Sequence, residues 1–349
     1  MSEKKTYEEL EERIQELENQ LKSGGNREYK SRLFSFIFGR EENKHWTLSL
    51  YNAIHGTSHN DISDITINTI EDVVYMGMKN DLSILVSENI SLYKSMELYE
   101  QQSSYNLNMP IREFMYAGKL YDKFIHSAKL NRYGKKLLPL PLPKLVVFYN
   151  GEDEKADETI LSLSDAFKEE IRQNIIHRYS ENKDEPNDVE VSAEVERIFQ
   201  ETSPDIEVKV RMVNINYGHN MEILYACKPL EEYAWFVAQV RNNLAESKNG
   251  DATRIGNAID KVIDEMSEDF EIKKFITANR AEVKDMCLTE YNEAETMEML
   301  KEEGRQESRL LDIKNLMDST GWTAEKVMDL LKIPLNQRIV FNTELSKNI

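Results

Sequence analysis

Asp81, Glu100 and Gln102 are the residues of this chain whose types and spacing best suit chemistry. Glu100 and Gln102 stand two apart in the run Leu98-Tyr-Glu-Gln-Gln-Ser103. Alternate side chains of a strand point to opposite faces, so these two share one. Asp81 opens a second strand-like run, Asp81-Leu-Ser-Ile-Leu-Val86, and Ser87 to Ser95 connects the two. An antiparallel hairpin is the simplest arrangement. Folded about its middle, it sets Asp81 opposite Gln102 and diagonal to Glu100, roughly 7–8 Å apart at the backbone, within reach of one bridging cation. A one-residue slip would send the pair to opposite faces. Converging carboxylates are hard oxygen ligands of the kind Mg²⁺ takes. Such a metal acidifies a bound water and neutralises charge that develops on a phosphoryl group. The same residues also read as a polar strand end that faces water.

The surrounding pattern predicts an α/β sandwich around a small mixed sheet. Trp46, Leu48, Leu50, Tyr51 and Ile54 predict a helix that Gly56 stops. Asp61 to Thr69 reads as an irregular or edge segment, and Glu71 to Tyr75 as a short strand. After the hairpin, Asn108 and Pro110 suit a helix start. Its apolar face is expected at Ile111, Phe114, Met115, Gly118, Tyr121 and Ile125, with Arg112, Tyr116, Lys119 and Lys123 on another. Pro139 to Pro143 is a stiff connector into Leu145-Val-Val-Phe-Tyr149, a central buried strand. Residues 151–205 are strongly acidic, with one helix-like piece at Leu163 to Ile176. Val208 to Tyr217 predicts another strand, and Met221 to Asn243 one helix.

Two appendages flank this core. Tyr7, Leu10, Ile14, Leu17 and Leu21 form a heptad seam ended by Ser23-Gly24-Gly25-Asn26, a candidate for pairing with a second copy. Leu310 to Pro334 predicts two short helices, the second capped by Thr323, and these are the other candidate surface for a homo-oligomer. The expected divisions are a coil and linker at 1–26, a core at 27–245, a charged helical extension at 246–303 and a helical hairpin at 304–349.

The net charge of -19 over 349 residues opposes wholesale nucleic-acid binding. Between Lys119 and Lys144, however, seven basic residues face one acid, Asp122. This basic island reads either as a solvated helix end and loop or as a phosphate-contacting surface. No apolar run approaches the length of a membrane helix, and Cys227 and Cys287 form neither a metal-ligand spacing nor a disulfide framework. A cytoplasmic protein without membrane contact is expected.

The residues also carry a resemblance. Lys79-Asn-Asp-Leu-Ser-Ile84, Leu98 to Ser103 and Asn106-Leu-Asn-Met-Pro-Ile-Arg112 resemble the Rpn family of recombination-promoting nucleases and putative transposases, a branch of the PD-(D/E)XK superfamily. Ser49 to Thr57, Val146 to Gly151, Asn214 to Asn220, Leu230 to Ala234 with Val240-Arg241, and Glu282 to Cys287 with Thr289 to Tyr291 agree in order, over roughly residues 30 to 295. The resemblance implies a restriction-endonuclease-like core, a small mixed sheet flanked by helices, and a Mg²⁺-dependent DNA endonuclease site on the central hairpin, with Mn²⁺ as a substitute. Asp81 and Glu100 match the metal-binding acids, and Gln102 stands where the wider superfamily has Lys. A glutamate of the first helix often joins such sites; Glu42 is the candidate, with Glu41 second. Lys119 and Lys123 would hold DNA phosphates. Leu107 departs from the more usual Pro. The family also points to recombination or mobile-element biology.

Gln is neutral and does not titrate, so it orients a water without taking its proton. Asn214, Asn216, His219 and Asn220 form a polar cluster that suits a strand-to-helix turn more than a ligand. Tyr116 and Tyr121 suit packing more than base stacking. The rival reading is a nuclease-fold binding protein with little catalysis, acting through its coil and C-terminal helices.

Overall fold

The computed structural model describes residues 33–68, 82–87, 93–181, 187–246 and 254–334, together with Arg338, Phe341 and Leu345. Asp81, the heptad seam at Tyr7 to Leu21 and the strand expected at Glu71 to Tyr75 lie outside the described residues. The chain divides into two compact units, Met1–Met286 and Cys287–Ile349.

The first unit is an α/β fold. In order it runs α1 (Leu33–Phe38), α2 (Lys44–His55), β1 (Ile65–Ile67), β2 (Leu82–Val86), β3 (Ser95–Gln102), α3 (Met109–Ser127), β4 (Leu142–Tyr149), β5 (Glu158–Ser162), α4 (Leu163–Glu181), α5 (Asp188–Thr202) and β6 (Lys209–Asn214). It continues with α6 (Met221–Ala226), α7 (Lys228–Glu246), α8 (Arg254–Glu265) and α9 (Lys273–Ala278). Among the described residues six strands form one mixed sheet, ordered β1-β2-β3-β4-β6-β5. β3, β4 and β6 are mutually parallel, while β1, β2 and β5 run against their neighbours. α3 is the crossover that a parallel β3–β4 pair requires.

β3 is buried along all of its eight residues, because it lies between β2 and β4 with helices over both faces. On one face Phe148 of β4 meets Phe34 of α1 at 5.1 Å between ring centroids, and Phe34 meets Tyr233 of α7 at 5.8 Å. On the other, Met96 and Leu98 pack with Tyr116, Ala117 and Leu120 of α3. Gly56, at φ 63°, ends α2 as a left-handed cap.

Several elements differ from expectation. The expected apolar face of α3 is only partly the buried one, with Tyr121 packed against the Met96–Leu98 cluster. Met109, Pro110, Glu113, Tyr116, Ala117 and Leu120 are the buried residues, while Ile111 and Phe114 are exposed. The helix lies over the polar end of β3, so a carboxylate and a phenol occupy positions that periodicity reserves for hydrocarbon. The acidic region holds an unforeseen edge strand, β5, and two helices rather than one. The helix expected from Met221 breaks at Cys227, which is extended at φ -128° just ahead of Pro229. Pro229 fits the first turn of α7, where its missing N–H costs no helical hydrogen bond. Asn108 occupies the cap position of α3 without a side-chain cap bond; Asn106 Oδ1 instead accepts from the Asn108 N–H at 2.9 Å.

The second unit begins within α10 (Arg280–Thr320) and includes α11 (Ala324–Leu330). Ile313, Val327, Met328, Ile333 and Phe341 form its small core, and Thr323 caps α11 through the Lys326 N–H. The sheet unit therefore extends through α8 and α9, where Glu232 of α7 accepts from the N–H groups of Glu271 and Ile272, each at 2.9 Å. No helix of the described residues is long and apolar enough to cross a membrane.

Gly151 closes β4 where a Cβ would strike the Ser103 carbonyl and come within 2.6 Å of the Tyr149 ring. Gly151→Ala is expected to cost roughly 1–3 kcal/mol of stability, measured by urea unfolding, because neither neighbour can yield without parting β3 from β4.

Candidate active site

Glu100 and Gln102 share a face of β3, as their spacing requires. The Gln102 amide donates from Nε2 to Glu100 Oε1 at 3.1 Å. Both side chains lie on the α3 side of the sheet and both residues are buried, with Glu100 only 2 % exposed. Arg112, in the first turn of α3, donates from Nη2 to the same Glu100 oxygen at 2.8 Å. That guanidinium also reaches the Tyr116 hydroxyl at 3.3 Å and the Met109 sulfur at 3.4 Å. Burying a carboxylate is costly unless it is paired and hydrogen-bonded, and Arg112 with Gln102 provides both.

Glu113, one residue beyond Arg112, is fully buried on the same helix. Tyr116 senses both acids. Burial pushes its hydroxyl above the usual range, the charge of Glu100 adds to the rise, Arg112 opposes it, and Glu113 contributes a smaller increase. The layer between β3 and α3 thus holds two carboxylates, one guanidinium, one amide and one phenol. It lies at the carboxyl end of β3, the end of parallel strands where ligands of open α/β sheets bind.

The register places the hairpin's other strand. Leu82 pairs with Tyr99, and Val86 with Ser95. The expected fold paired Leu82 with Gln101, so the ladder is displaced by two residues. A displacement of two preserves the faces, whereas one would have reversed them. Leu82 and Tyr99 are the sequence neighbours of Asp81 and Glu100.

The structure does not bring Glu42 to this site. Glu42 lies in the short turn Glu41–Asn43 before α2, exposed, with Arg40 Nη1 on its carboxylate at 3.3 Å and Arg40 Nη2 on Glu282 at 3.3 Å. α2 packs on the opposite face of the sheet, where His55 meets Glu97. Glu41, the second candidate, pairs with Lys44 at 3.5 Å. Lys119 is half-buried and Lys123 exposed, with Lys123 Nζ donating to the Asn68 carbonyl at 3.4 Å. Arg112, Tyr116, Lys119 and Lys123 step by four, three and four residues, so they share one side of α3 over about 16 Å. Tyr121 is a packing residue whose hydroxyl donates to the Pro141 carbonyl at 2.8 Å.

The polar cluster after β6 serves the backbone. Asn216 donates to the Gly151 carbonyl at 2.9 Å and Asn220 to the Asp157 carbonyl at 2.6 Å, while His219 Nδ1 meets Asp157 at 2.7 Å. Arg112 and Glu113 carry no role in the sequence reading. The signal that could have found them was their position one helical turn into a crossover helix that starts beside Glu100.

Among the described residues no group of three or more His, Cys, Asp or Glu is placed to hold a metal ion. The donors present are nonetheless of the right kind for a hard cation: the carboxylates of Glu100 and Glu113, buried on facing elements, with the amide carbonyl of Gln102 beside them. Arg112 and a cation would compete for Glu100 Oε1.

No protein-family model matches this chain, and comparisons with curated proteins and with solved structures give no match either.

Arg112→Met leaves the Glu100 carboxylate without that guanidinium. Because Arg112 is partly exposed, the expected loss is about 2–3 kcal/mol, below that of a fully buried pair. The double variant Arg112→Met/Glu100→Gln should recover most of it, and equilibrium unfolding of both variants measures the coupling.

Proposed function

We propose that this chain is a metal-dependent DNA endonuclease of the Rpn type, with a PD-(D/E)XK core. One observation carries the reading: Glu100 and Gln102 lie side by side on the buried central strand, joined at 3.1 Å, on the strand paired with the one that Asp81 precedes. A mixed sheet crossed by a helix between its parallel strands agrees with such a core. The carboxylates of Asp81 and Glu100 are the proposed holders of Mg²⁺ or Mn²⁺, with Glu113 adjacent. When bound, the ion would supply Lewis acidity at a phosphoryl oxygen and acidify a water.

The chain's own residues take the remaining roles. The Gln102 amide donates to Glu100, which leaves its carbonyl oxygen to accept from the attacking water and fix its direction. It cannot carry the water's proton away. Arg112 provides beside Gln102 the permanent positive charge that the amide lacks, suited to an anionic phosphate. Lys119 and Lys123 continue that charge along α3 and would contact the DNA backbone. Glu42 has no role in this arrangement. Cys227 and Cys287 are both buried, and a cytoplasmic location belongs to the proposal. Pairing of copies through the heptads or the C-terminal helices, and service in recombination or transposition, belong to the same proposal.

One observation favours the rival reading of a binding protein without catalysis. Arg112 already pairs with the Glu100 carboxylate at 2.8 Å, as a structural ion pair would. Supercoiled plasmid with Mg²⁺ or Mn²⁺ separates the two. Wild type should nick, and Asp81→Ala and Glu100→Ala should each reduce the rate at least 100-fold. An absence of nicking by wild type, or equal nicking by wild type and variants, overturns the nuclease reading.

A further inference from the structure

A second polar centre lies on the other face of the sheet and has no part in the proposed nuclease. Glu97 of β3, 1 % exposed, accepts from Ser95 Oγ at 2.8 Å and lies 3.0 Å from His55 Nε2 and 3.5 Å from the Tyr99 hydroxyl. A buried carboxylate that holds one nitrogen of an imidazole fixes the ring and directs the other nitrogen outward.

His55 lines a cavity of about 800 Å³ at the amino-terminal end of β4 and β6, away from Gln102. That volume is in the range of small-molecule sites. Its walls are mostly hydrocarbon: Phe114 and Tyr121 of α3, Leu145 of β4, Ile160 of β5 and Ile206 all contribute. Phe114, Ile160 and Ile206 remain exposed in the folded chain.

The polar lining has one dominant sign. Lys144, Lys209 and Arg211 join His55 there, against Glu207 alone. Glu207 is turned to the backbone, where its Oε1 accepts from the Val208 N–H at 2.9 Å and the Ser164 N–H at 3.3 Å. Arg211 is fixed by Glu158 and by the Ile54 carbonyl at 3.0 Å. Lys144 and Lys209 make no ion pair among the described residues. Two uncommitted ammonium groups beside an apolar wall, on a chain of net charge -19, form a local site for an anion with a hydrocarbon body.

We infer that this cavity binds a small amphipathic carboxylate, of the medium-chain acyl or aryl class. Its acid head would meet Lys144 and Lys209, and its body would cover Phe114, Ile160 and Ile206. The inference stands apart from the proposed nuclease, which draws its phosphate contacts from Lys119 and Lys123 and leaves Lys144, the last basic residue of that island, to the cavity.

Titration calorimetry of the full chain with octanoate, with 1-octanol as the neutral isostere, tests it. Octanoate should bind saturably at one site and at least tenfold more tightly than octanol. Lys144→Gln/Lys209→Gln should weaken octanoate at least tenfold at an unchanged melting temperature, and Ile160→Asp on the exposed edge strand should weaken it similarly. Plasmid nicking should be unaffected in both variants. Absent saturable binding, equal affinity for octanol, or an undiminished double variant overturns the assignment. So does binding of a short DNA duplex that the double variant loses while octanoate fails to bind, which would give these lysines to nucleic acid.

Discussion

The central strand β3 is buried over its whole length yet carries Glu97, Glu100, Gln101 and Gln102. Water cannot solvate these groups, so each must find its partner in the layers above or below the sheet. Glu97 takes His55 and Ser95. Gln101 donates to Asn150 at 2.6 Å, and Asn150 donates to the Tyr233 hydroxyl at 3.1 Å. Glu100 takes Gln102 and Arg112. The polar strand therefore dictates where α2, α3 and α7 carry their polar residues.

This constraint explains why α3 turns an unexpected side to the sheet. An apolar stripe including Ile111 and Phe114 was available, yet the helix buries Glu113 and Tyr116 and leaves those two exposed. Hydrocarbon over Glu100 would have stranded its charge. With Arg112 in the first turn, the carboxylate is met by a guanidinium instead. The displaced apolar residues are not idle, since Phe114 and Tyr121 wall the cavity at the far end of the strands.

The two faces of β3 hold different chemistry. Toward α3, two acids, an amide and an arginine gather near the carboxyl end of the parallel strands. Toward α2, a buried acid holds a histidine that looks into an apolar cavity. The same alternation of side chains produces both, because odd and even residues of one polar strand must face opposite layers. A single strand can thus present two separate polar clusters, one on each face, without either competing for residues.

Much of the site's local arrangement was legible in residue order. Period two sets Glu100 beside Gln102 and Gly56 ends its helix through local backbone geometry, while the continuous apolar run Leu145 to Tyr149 marks a strand of the sheet's interior. Tertiary structure decided the rest. The spacing of the two runs does not fix the register of β2 on β3, and it settled two residues away from the symmetric fold. Glu42 was assigned to the site through a helix that packs across the sheet from it. Arg112, Glu113 and the pairing of Glu97 with His55, 42 positions away, follow from which layer covers which face. Spacing along the chain fixes what neighbours in a strand or helix can do together. Partners from separate elements are chosen by packing, where the cost of burying an unpaired charge outweighs the preference for an apolar stripe.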